Sequence, residues 1–392
     1  MENIVGNKPV SGSNFYGRDK FVRILTGLLE SRNSFLLLGL RRMGKSSSIT
    51  EALRRFTEVN TNAVVISINC QTYKGVADFY KHIYLALPKD WQSKLREALN
   101  ESKKLPTKII DVITDHVEAV ELPMIGSIKL RNDLIQYSNP LREEITNFLK
   151  RQEKQIVIFI DELPSLFEYI ERTKGEDEKI IEVESILTTL RMWREIGISQ
   201  AICGSLNLHI QLEKMGISKK LLAGLNSQQL PKYKYEEAYG LIEALSNTFE
   251  IKLRKEQIEL ILTKLPDHIP QFLQKYFSYI KTFHKDDDFD IATIYDEYLY
   301  PDIVKDFEYQ FEDRLAKFNK EDREVAIHIL NKIKKSENGK VSETDILRSI
   351  KKENSYSVLL KLMNHEFLIK STEEEYHFSL ELLKNWWSKK KI

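Results

Sequence analysis

Cysteine is almost absent from this 392-residue chain, which has only Cys70 and Cys203. Each ends a strand-like run, Val64 to Cys70 and Gln200 to Cys203, so both read as buried free thiols, and a disulfide framework is not expected. No C-x-x-C pair occurs. The histidines (His82, His116, His209, His268, His284, His328, His365 and His377) are scattered without metal-ligand spacing, which leaves a zinc site unsupported. Proline (10) and glycine (15) are scarce, which suits a helix-rich protein and excludes a low-complexity chain. No apolar run approaches the ~18 residues needed to cross a bilayer. The start, Met1-Glu2-Asn3-Ile4-Val5, lacks the basic residues, apolar stretch and small-residue cleavage site of a signal peptide. Charge of one sign is missing too. Lys+Arg (59) and Asp+Glu (58) nearly cancel, so no global basic field demands nucleic acid, although a local patch stays open. There is no Gly-x-Ser-x-Gly elbow and no nuclease or deaminase signature. These absences leave a cytoplasmic, non-membrane protein long enough for two or three domains.

What is present begins with Gly39-Leu40-Arg41-Arg42-Met43-Gly44-Lys45-Ser46, which fits G-x-x-x-x-G-K-[ST] throughout. A phosphate chain needs a wrap of backbone N–H groups, and glycines let the backbone approach it. Lys45 supplies a point charge for the β- and γ-phosphates, and the Ser46 hydroxyl supplies a magnesium ligand. The context agrees with a phosphate loop. Phe35 to Leu38 reads as a buried strand entering it, and Ser47 to Phe56 as a helix whose N-terminus faces the anion.

Short apolar runs alternate with helical patterns through the first half of the chain. Val64 to Ile68, Ile156 to Ile160 and Gln200 to Cys203 read as strands of the parallel type, with a helix from Gly75 to Leu87. Val120 to Leu130 reads as a small extra hairpin. This alternation predicts a three-layer α/β domain with a parallel sheet over residues 1–232. From Tyr233 the strands stop. Tyr235 to Glu250, Arg254 to Lys264 and Ile269 to Phe283 carry helical spacing, with Lys285-Asp286-Asp287-Asp288 as a solvated loop, which predicts a helical domain over 233–315. Its aromatics Phe272, Tyr276, Phe277 and Tyr279 read as packing core rather than a base-stacking platform. Over 316–392 the pattern is a helix (Glu321 to Lys335), a turn (Ser336 to Lys340), a Ser342-Glu343-Thr344-Asp345 helix start, and a third helix from Ser355 to His365. A hairpin follows, made of Phe367 to Lys370 and Tyr376 to Ser379. Three helices and a hairpin predict a winged helix.

A phosphate loop needs a second carboxylate for magnesium and a group that orients the attacking water. Asp161-Glu162, directly after the Ile156 to Ile160 run, supplies both at the carboxyl edge of the sheet, where ligands of α/β folds bind. The bland alternative is a solvated acidic turn. Gly204-Ser205 ends the next strand at the same edge. Ser205 either touches the γ-phosphate or the catalytic water, or caps the helix that begins near Asn207.

At this point the residues resemble a family. Phe15-Tyr16-Gly17-Arg18-Asp19 ahead of the phosphate loop, the Arg41-Arg42 doublet inside it, Asp161-Glu162, Gly204-Ser205, Ile269-Pro270 and the C-terminal Phe378-Ser379…Leu382-Leu383…Trp386 resemble, in order, the landmarks of STAND-type and archaeal-type AAA+-related ATPases. The resemblance implies ATP and Mg2+ as ligands, bound by Tyr16, Gly17, Arg18, Gly39, Leu40, Arg41, Arg42, Met43, Gly44, Lys45, Ser46, Ser47 and Pro270. Ser46 and Asp161 would hold the metal; Glu162, Lys45 and Ser205 would serve catalysis. Pro270 would contact the base from a helical lid. Two departures stand out: His268-Ile269-Pro270 lacks the family's glycine, and Ala223-Gly224-Leu225 has leucine where relatives often carry arginine. Arg191 or Arg194 could act as an arginine finger instead, against the plainer reading of solvated helix arginines.

The C-terminal domain has two readings. Its recognition-helix segment, Ser355 to Asn364, holds only Lys361 as a basic residue, and Glu373-Glu374-Glu375 in the wing would repel phosphates. Lys351, Lys352 and Lys389-Lys390-Lys391 could attract duplex DNA. The expected function is an ATP-hydrolysing molecular switch, slow in turnover, that relays its nucleotide state (ATP or ADP) through the winged helix to a protein partner or a second copy. The alternative is a DNA-binding AAA+ ATPase acting in replication, transposition or transcription regulation.

Overall fold

The computed structural model describes residues 9–114, 136–204, 208–285, 289–350, 352–371 and 374–390. The expected hairpin at Val120 to Leu130, together with His116, Ser205, Asp286 to Asp288, Lys351, Thr372, Glu373 and Lys391, lies outside them. The chain divides into two compact units.

One unit comprises residues 20–38 and 49–229 and holds a five-stranded parallel sheet. Its strands are β1 (Ser34–Leu38), β2 (Val64–Asn69), β3 (Ile156–Asp161), β4 (Ser199–Gly204) and β5 (Leu225–Gln229), in the order β2-β3-β4-β1-β5. β3 and β4 are buried at every position, β3 as the near-continuous apolar run of a central parallel strand and β4 with Ser199 and Gln200 buried ahead of Ala201 to Cys203. β5 reads Leu-Asn-Ser-Gln-Gln and has no hydrophobic pattern of its own. It is an edge strand, defined only by its pairing from Ser34↔Leu225 to Leu38↔Gln229, and no periodicity announces it.

Nine helices are described on the segments linked to this sheet: α1 (Asp19–Glu30), α2 (Lys45–Val59), α3 (Val76–Leu85), α4 (Lys89–Ser102), α5 (Thr107–Thr114), α6 (Ser138–Lys150), α7 (Leu163–Thr173), α8 (Glu176–Glu195) and α9 (Leu208–Lys214). Their core packs Phe79, Trp91, Leu95, Ile145, Phe167, Ile186 and Trp193 against the sheet residues Ile66, Ile158 and Ile202. Cys70 and Cys203 are both buried free thiols.

The other unit comprises residues 9–19, 39–48 and 230–390 of the described chain. It therefore holds the phosphate loop together with the C-terminal helices. These are α10 (Tyr235–Thr248), α11 (Lys255–Lys264) and α12 (Pro270–Phe283). After them come α13 (Ile291–Ile294), α14 (Tyr300–Phe307) and α15 (Asp313–Ala316), joined by π-turns at Tyr295–Leu299 and Glu308–Glu312. The segment ends in α16 (Lys320–Lys335), β6 (Lys340–Ser342), α17 (Glu343–Ile350), α18 (Ser355–Asn364), β7 (Leu368–Lys370), β8 (Glu375–Phe378) and α19 (Glu381–Lys389). The three strands form an antiparallel sheet in the order β6-β8-β7. Lys340, expected in a turn, begins β6; a strand of three residues with one apolar side chain is specified by its partner rather than by its own pattern. The Ser-x-x-Asp helix start is present: the Asp345 N–H donates to Ser342 Oγ (3.2 Å), whose hydroxyl donates to Asp345 Oδ2 (2.7 Å).

Aromatic contacts run through this unit. Phe272 of α12 meets Phe307 of α14 at 6.3 Å between ring centroids, and Phe307 meets Phe311 at 5.6 Å and Trp386 of α19 at 6.1 Å. Phe311 meets Phe367, beside β7, at 4.9 Å. Phe272, Tyr276 and Phe277 are buried, so the aromatics of α12 are packing core.

Candidate nucleotide site

All five parallel strands point their carboxyl ends to one edge. There β1 hands over to Gly39, β3 ends in Asp161, and Leu38 lies beside Gly204 in register. β1 pairs with β4 and β5 while β2 lies at the far side of β3, so the strand order reverses at β1. Such a switch point opens a crevice for ligands. The phosphate loop runs directly into α2. The first bond of that helix, Ser48 N–H to Gly44 O at 3.0 Å, makes Gly44 its cap, and the first-turn N–H groups point out of the N-terminal end. Gly44 has φ +85°, a left-handed conformation that glycine adopts without strain. Lys45 is buried, and its ammonium donates to the carbonyls of Gly39 (2.8 Å) and Leu40 (3.0 Å), which curls the loop around the lysine. The Ser47 hydroxyl accepts from Val10 N–H at 3.2 Å, which ties the segment ahead of α1 to the loop.

Arg18 props the loop from behind. It is 6 % exposed, its guanidinium donates to the carbonyl of Met43 and to that of Pro231 (2.9 Å), and it lies 4.4 Å from the centre of the Tyr233 ring. Burial lowers its pKa, against the opposing pull of Tyr233 and Glu237. Tyr233 in turn donates to the Tyr16 carbonyl at 2.6 Å, and burial pushes its phenol up to about 12. Tyr16 lies so close to α10 that a Cβ at Gly240 would fall 2.0 Å from its hydroxyl. Of these three residues Arg18 touches the phosphate loop, whereas Tyr16 and Gly17 lie against Tyr233, and Tyr16 also against α10. Arg42, also left-handed at φ +68°, pairs with Asp306 of α14 (2.9 Å) and lies 5.3 Å from the Phe272 ring centre. Leu40, Arg41 and Arg42 line a cavity of about 20 Å³ together with Phe272, Glu366 and Leu380.

Asp161 is buried at the end of β3, and its Oδ1 accepts the Glu162 N–H at 3.1 Å. Glu162 occupies the cap position of α7 with φ +56°, a backbone conformation that costs a non-glycine residue about 1–3 kcal/mol and recurs at functional sites. Its Oε2 accepts from the Ser165 hydroxyl at 3.0 Å. The two carboxylates also raise the pKa of the Cys70 thiol, after burial as the larger cause, so the thiol stays protonated. The Ser46 hydroxyl and the Asp161 carboxylate are hard oxygen donors of the kind that hold Mg2+ alongside phosphates and water. Among the described residues no cluster of three or more His, Cys, Asp or Glu could hold a metal by itself.

Comparison with known proteins bears on this arrangement. Residues 14–168 match the AAA ATPase domain. Two solved structures extend the likeness over nearly the whole chain. A Walker-type ATPase of Pyrococcus abyssi, PABY2304, is 14 % identical, superposes with TM-score 0.64, and the match covers 98 % of this chain and 99 % of that one. The ORC2 protein of Aeropyrum pernix, in ADPNP–ADP complexes, is 12 % identical with TM-score 0.51, covering 99 % and 96 %. At these identities the likeness is one of fold, and the fold is that of the P-loop NTPases. No curated protein matches the chain.

The remaining candidates of the ATPase domain and its C-terminal extension fall out as follows. The Arg194 guanidinium donates to Gln200 Oε1 (2.9 Å) and to the carbonyls of Leu221 (2.9 Å) and Ala223 (3.1 Å), and burial lowers its pKa to about 10. It fastens the segment before β5. Arg191 is exposed and pairs with Glu195 on its own helix. Leu225 begins β5. Pro270 is buried in the first turn of α12, and His268 two residues earlier has φ +46°, the left-handed conformation that glycine takes most easily. Lys361 is bonded to Asp322 within the unit, and Lys352 pairs with Glu324. Among the described residues no helix is long and apolar enough to cross a membrane. Sequence reasoning missed Asp306, Pro231 and Ser165. The first two act through partners far along the chain, and a backbone carbonyl carries no residue signature. Ser165 could have been found, since it stands three residues after Glu162 at a strand-to-helix turn.

Proposed function

We propose that the chain is an ATP-hydrolysing switch of the STAND kind, whose nucleotide state is relayed through the C-terminal α16–α19 segment, read as a winged helix, to a protein partner or a second copy. The observation that carries the relay is the bond from Arg42, inside the phosphate loop, to Asp306 of α14. Phosphates entering the loop compete for Arg42, and α14 packs through Phe307 on Trp386 of α19. A change at the loop thereby reaches the C-terminal segment through rigid aromatic contacts.

In this reading ATP lies on the first turn of α2, wrapped by Gly39 to Ser47, with Tyr16, Gly17 and Arg18 near the adenine and the phosphate end and Pro270 against the base. Lys45 exchanges its two loop carbonyls for the β- and γ-phosphates. Ser46 and Asp161 would hold Mg2+, which would supply neutralisation of charge on the phosphate oxygens. Glu162 orients a water in line with the γ-phosphorus and accepts its proton, and Ser205 stands at the neighbouring strand end as a further polar contact. Turnover is slow, as suits a timer rather than a motor. The C-terminal lysines support a protein contact over a DNA contact, because Lys352 and Lys361 are engaged with Glu324 and Asp322.

The test is steady-state ATP turnover with and without duplex DNA, alongside the mass of the assembly with and without nucleotide. Slow turnover indifferent to duplex, with a nucleotide-dependent change in mass or partner capture, is expected. Several-fold stimulation by duplex DNA, with salt-sensitive binding, would move the protein to the DNA-acting class.

A further inference from the structure

Glu162 has two carboxylate oxygens in different situations. Oε2 accepts from Ser165 Oγ at 3.0 Å, whereas Oε1 has no protein hydrogen-bond partner among the described residues. Ser165 is well placed to hold an orientation. Its own N–H donates to the Glu162 carbonyl at 3.0 Å, and it sits in the first turn of α7, where Leu163, Leu166 and Phe167 are fully buried. A glutamate side chain left to itself samples several rotamers, at an entropic cost of roughly 1.5–2 kcal/mol when it is fixed. One hydroxyl on a rigid helix selects among them. The Glu162 backbone adds to the restraint, since φ +56° sets the direction in which the side chain leaves the chain.

We infer that Ser165 is a positioning residue for ATP hydrolysis: its hydroxyl anchors Oε2 of Glu162 and so aims Oε1 at the attacking water. The inference rests on the reading of Glu162 as the group that orients water. The Ser165 hydroxyl has one proton, and giving it to Oε2 leaves Oε1 as the acceptor for the water. Ser165 does not touch the nucleotide, so its removal acts on the chemical step and not on binding. Threonine keeps the hydroxyl and alanine does not.

The experiment measures kcat and KM for Mg·ATP in wild type, Ser165→Ala, Ser165→Thr, Glu162→Gln and the Ser165→Ala/Glu162→Gln double variant, with thermal unfolding of each. Ser165→Ala should lower kcat about tenfold, as expected when a catalytic group loses the contact that fixes its geometry. KM should stay within about twofold, and Ser165→Thr should recover most of the rate. In the Glu162→Gln background the serine substitution should cost nothing further in kcat. Wild-type kcat in Ser165→Ala, with kcat still reduced in Glu162→Gln, would overturn the inference and leave the Glu162 reading standing. An equal loss of kcat from Ser165→Ala in both backgrounds, or a loss that threonine does not recover, would make Ser165 a structural residue of α7 only. Unchanged turnover in Glu162→Gln would remove the reading on which the inference depends.

Discussion

Arg18, from outside the phosphate loop, and Arg42, within it, tie that loop to different neighbours. Arg18 donates to the Met43 carbonyl, and Arg42 pairs with Asp306 of α14. Lysine cannot replace Arg18, because a point charge on a flexible stem does not bridge two carbonyls as a planar fork does. Arg18→Lys should destabilise the protein by about 1.5–3 kcal/mol, the worth of a hydrogen bond to a charged group. Thermal unfolding checks it, and an unchanged midpoint would mean the bridge contributes nothing. The Arg42–Asp306 pair is partly exposed and screened, so Arg42→Ala should cost only about 1 kcal/mol or less. It should nonetheless change the rate of ADP release, measured by chase of a fluorescent nucleotide; an unaltered release rate would speak against the relay. At this scale the sequence was legible where chemistry demands a fixed spacing, as in Gly39 to Ser46 and in Asp161-Glu162. It was silent about partners such as the Met43 and Pro231 carbonyls, which any residue could supply.

Among the elements, legibility followed burial. β3 announces itself as an apolar run and β4 through the shorter stretch Ala201 to Cys203, whereas polar β5 and three-residue β6 exist only through their neighbours. The helix α16 illustrates a contact no pattern revealed. Asp322, in its first turn, accepts from Lys361 and from Asn354 Nδ2 (2.7 Å), joining α16 to α18. Burial pushes the Asp322 carboxyl upward, yet these hydrogen bonds outweigh it and hold the group below its ordinary range. A carboxylate depressed in the folded state adds stability at every pH above its unfolded value, and that stability is lost as pH falls through the folded value. The C-terminal segment should therefore loosen in acid below about pH 4, the unfolded aspartate value. Asp322→Asn should flatten that dependence. Far-UV circular dichroism against pH in both proteins reads it, and identical acid limbs would contradict the assignment. The same bond engages Lys361, the single basic residue of the recognition-helix segment, with a carboxylate of its own unit.

For the whole molecule, the sequence order of landmarks predicted an ATPase core followed by a helical segment and a C-terminal domain. What no linear reading supplied is that the phosphate loop belongs to the same compact unit as the C-terminal helices. Within that unit the aromatic series Phe272, Phe307, Trp386 starts beside Arg42 and ends in α19. Trp386→Ala, which empties a buried site, should cost about 3–5 kcal/mol and shift nucleotide exchange or assembly more than ATP affinity. The central claim is that Gly39 to Ser46 binds a nucleotide, and the most direct measurement is the thermal unfolding of wild type and Lys45→Ala with and without Mg·ATP. At about 100 times the dissociation constant, ligand linkage gives ~2.7 kcal/mol, a rise of roughly several degrees in wild type. Lys45→Ala should fold, with a nucleotide-free midpoint somewhat below that of wild type because the Gly39 and Leu40 carbonyls lose their donor, and should lose most of that rise. A wild-type midpoint that does not move with Mg·ATP, or an equal rise in Lys45→Ala, would contradict the account.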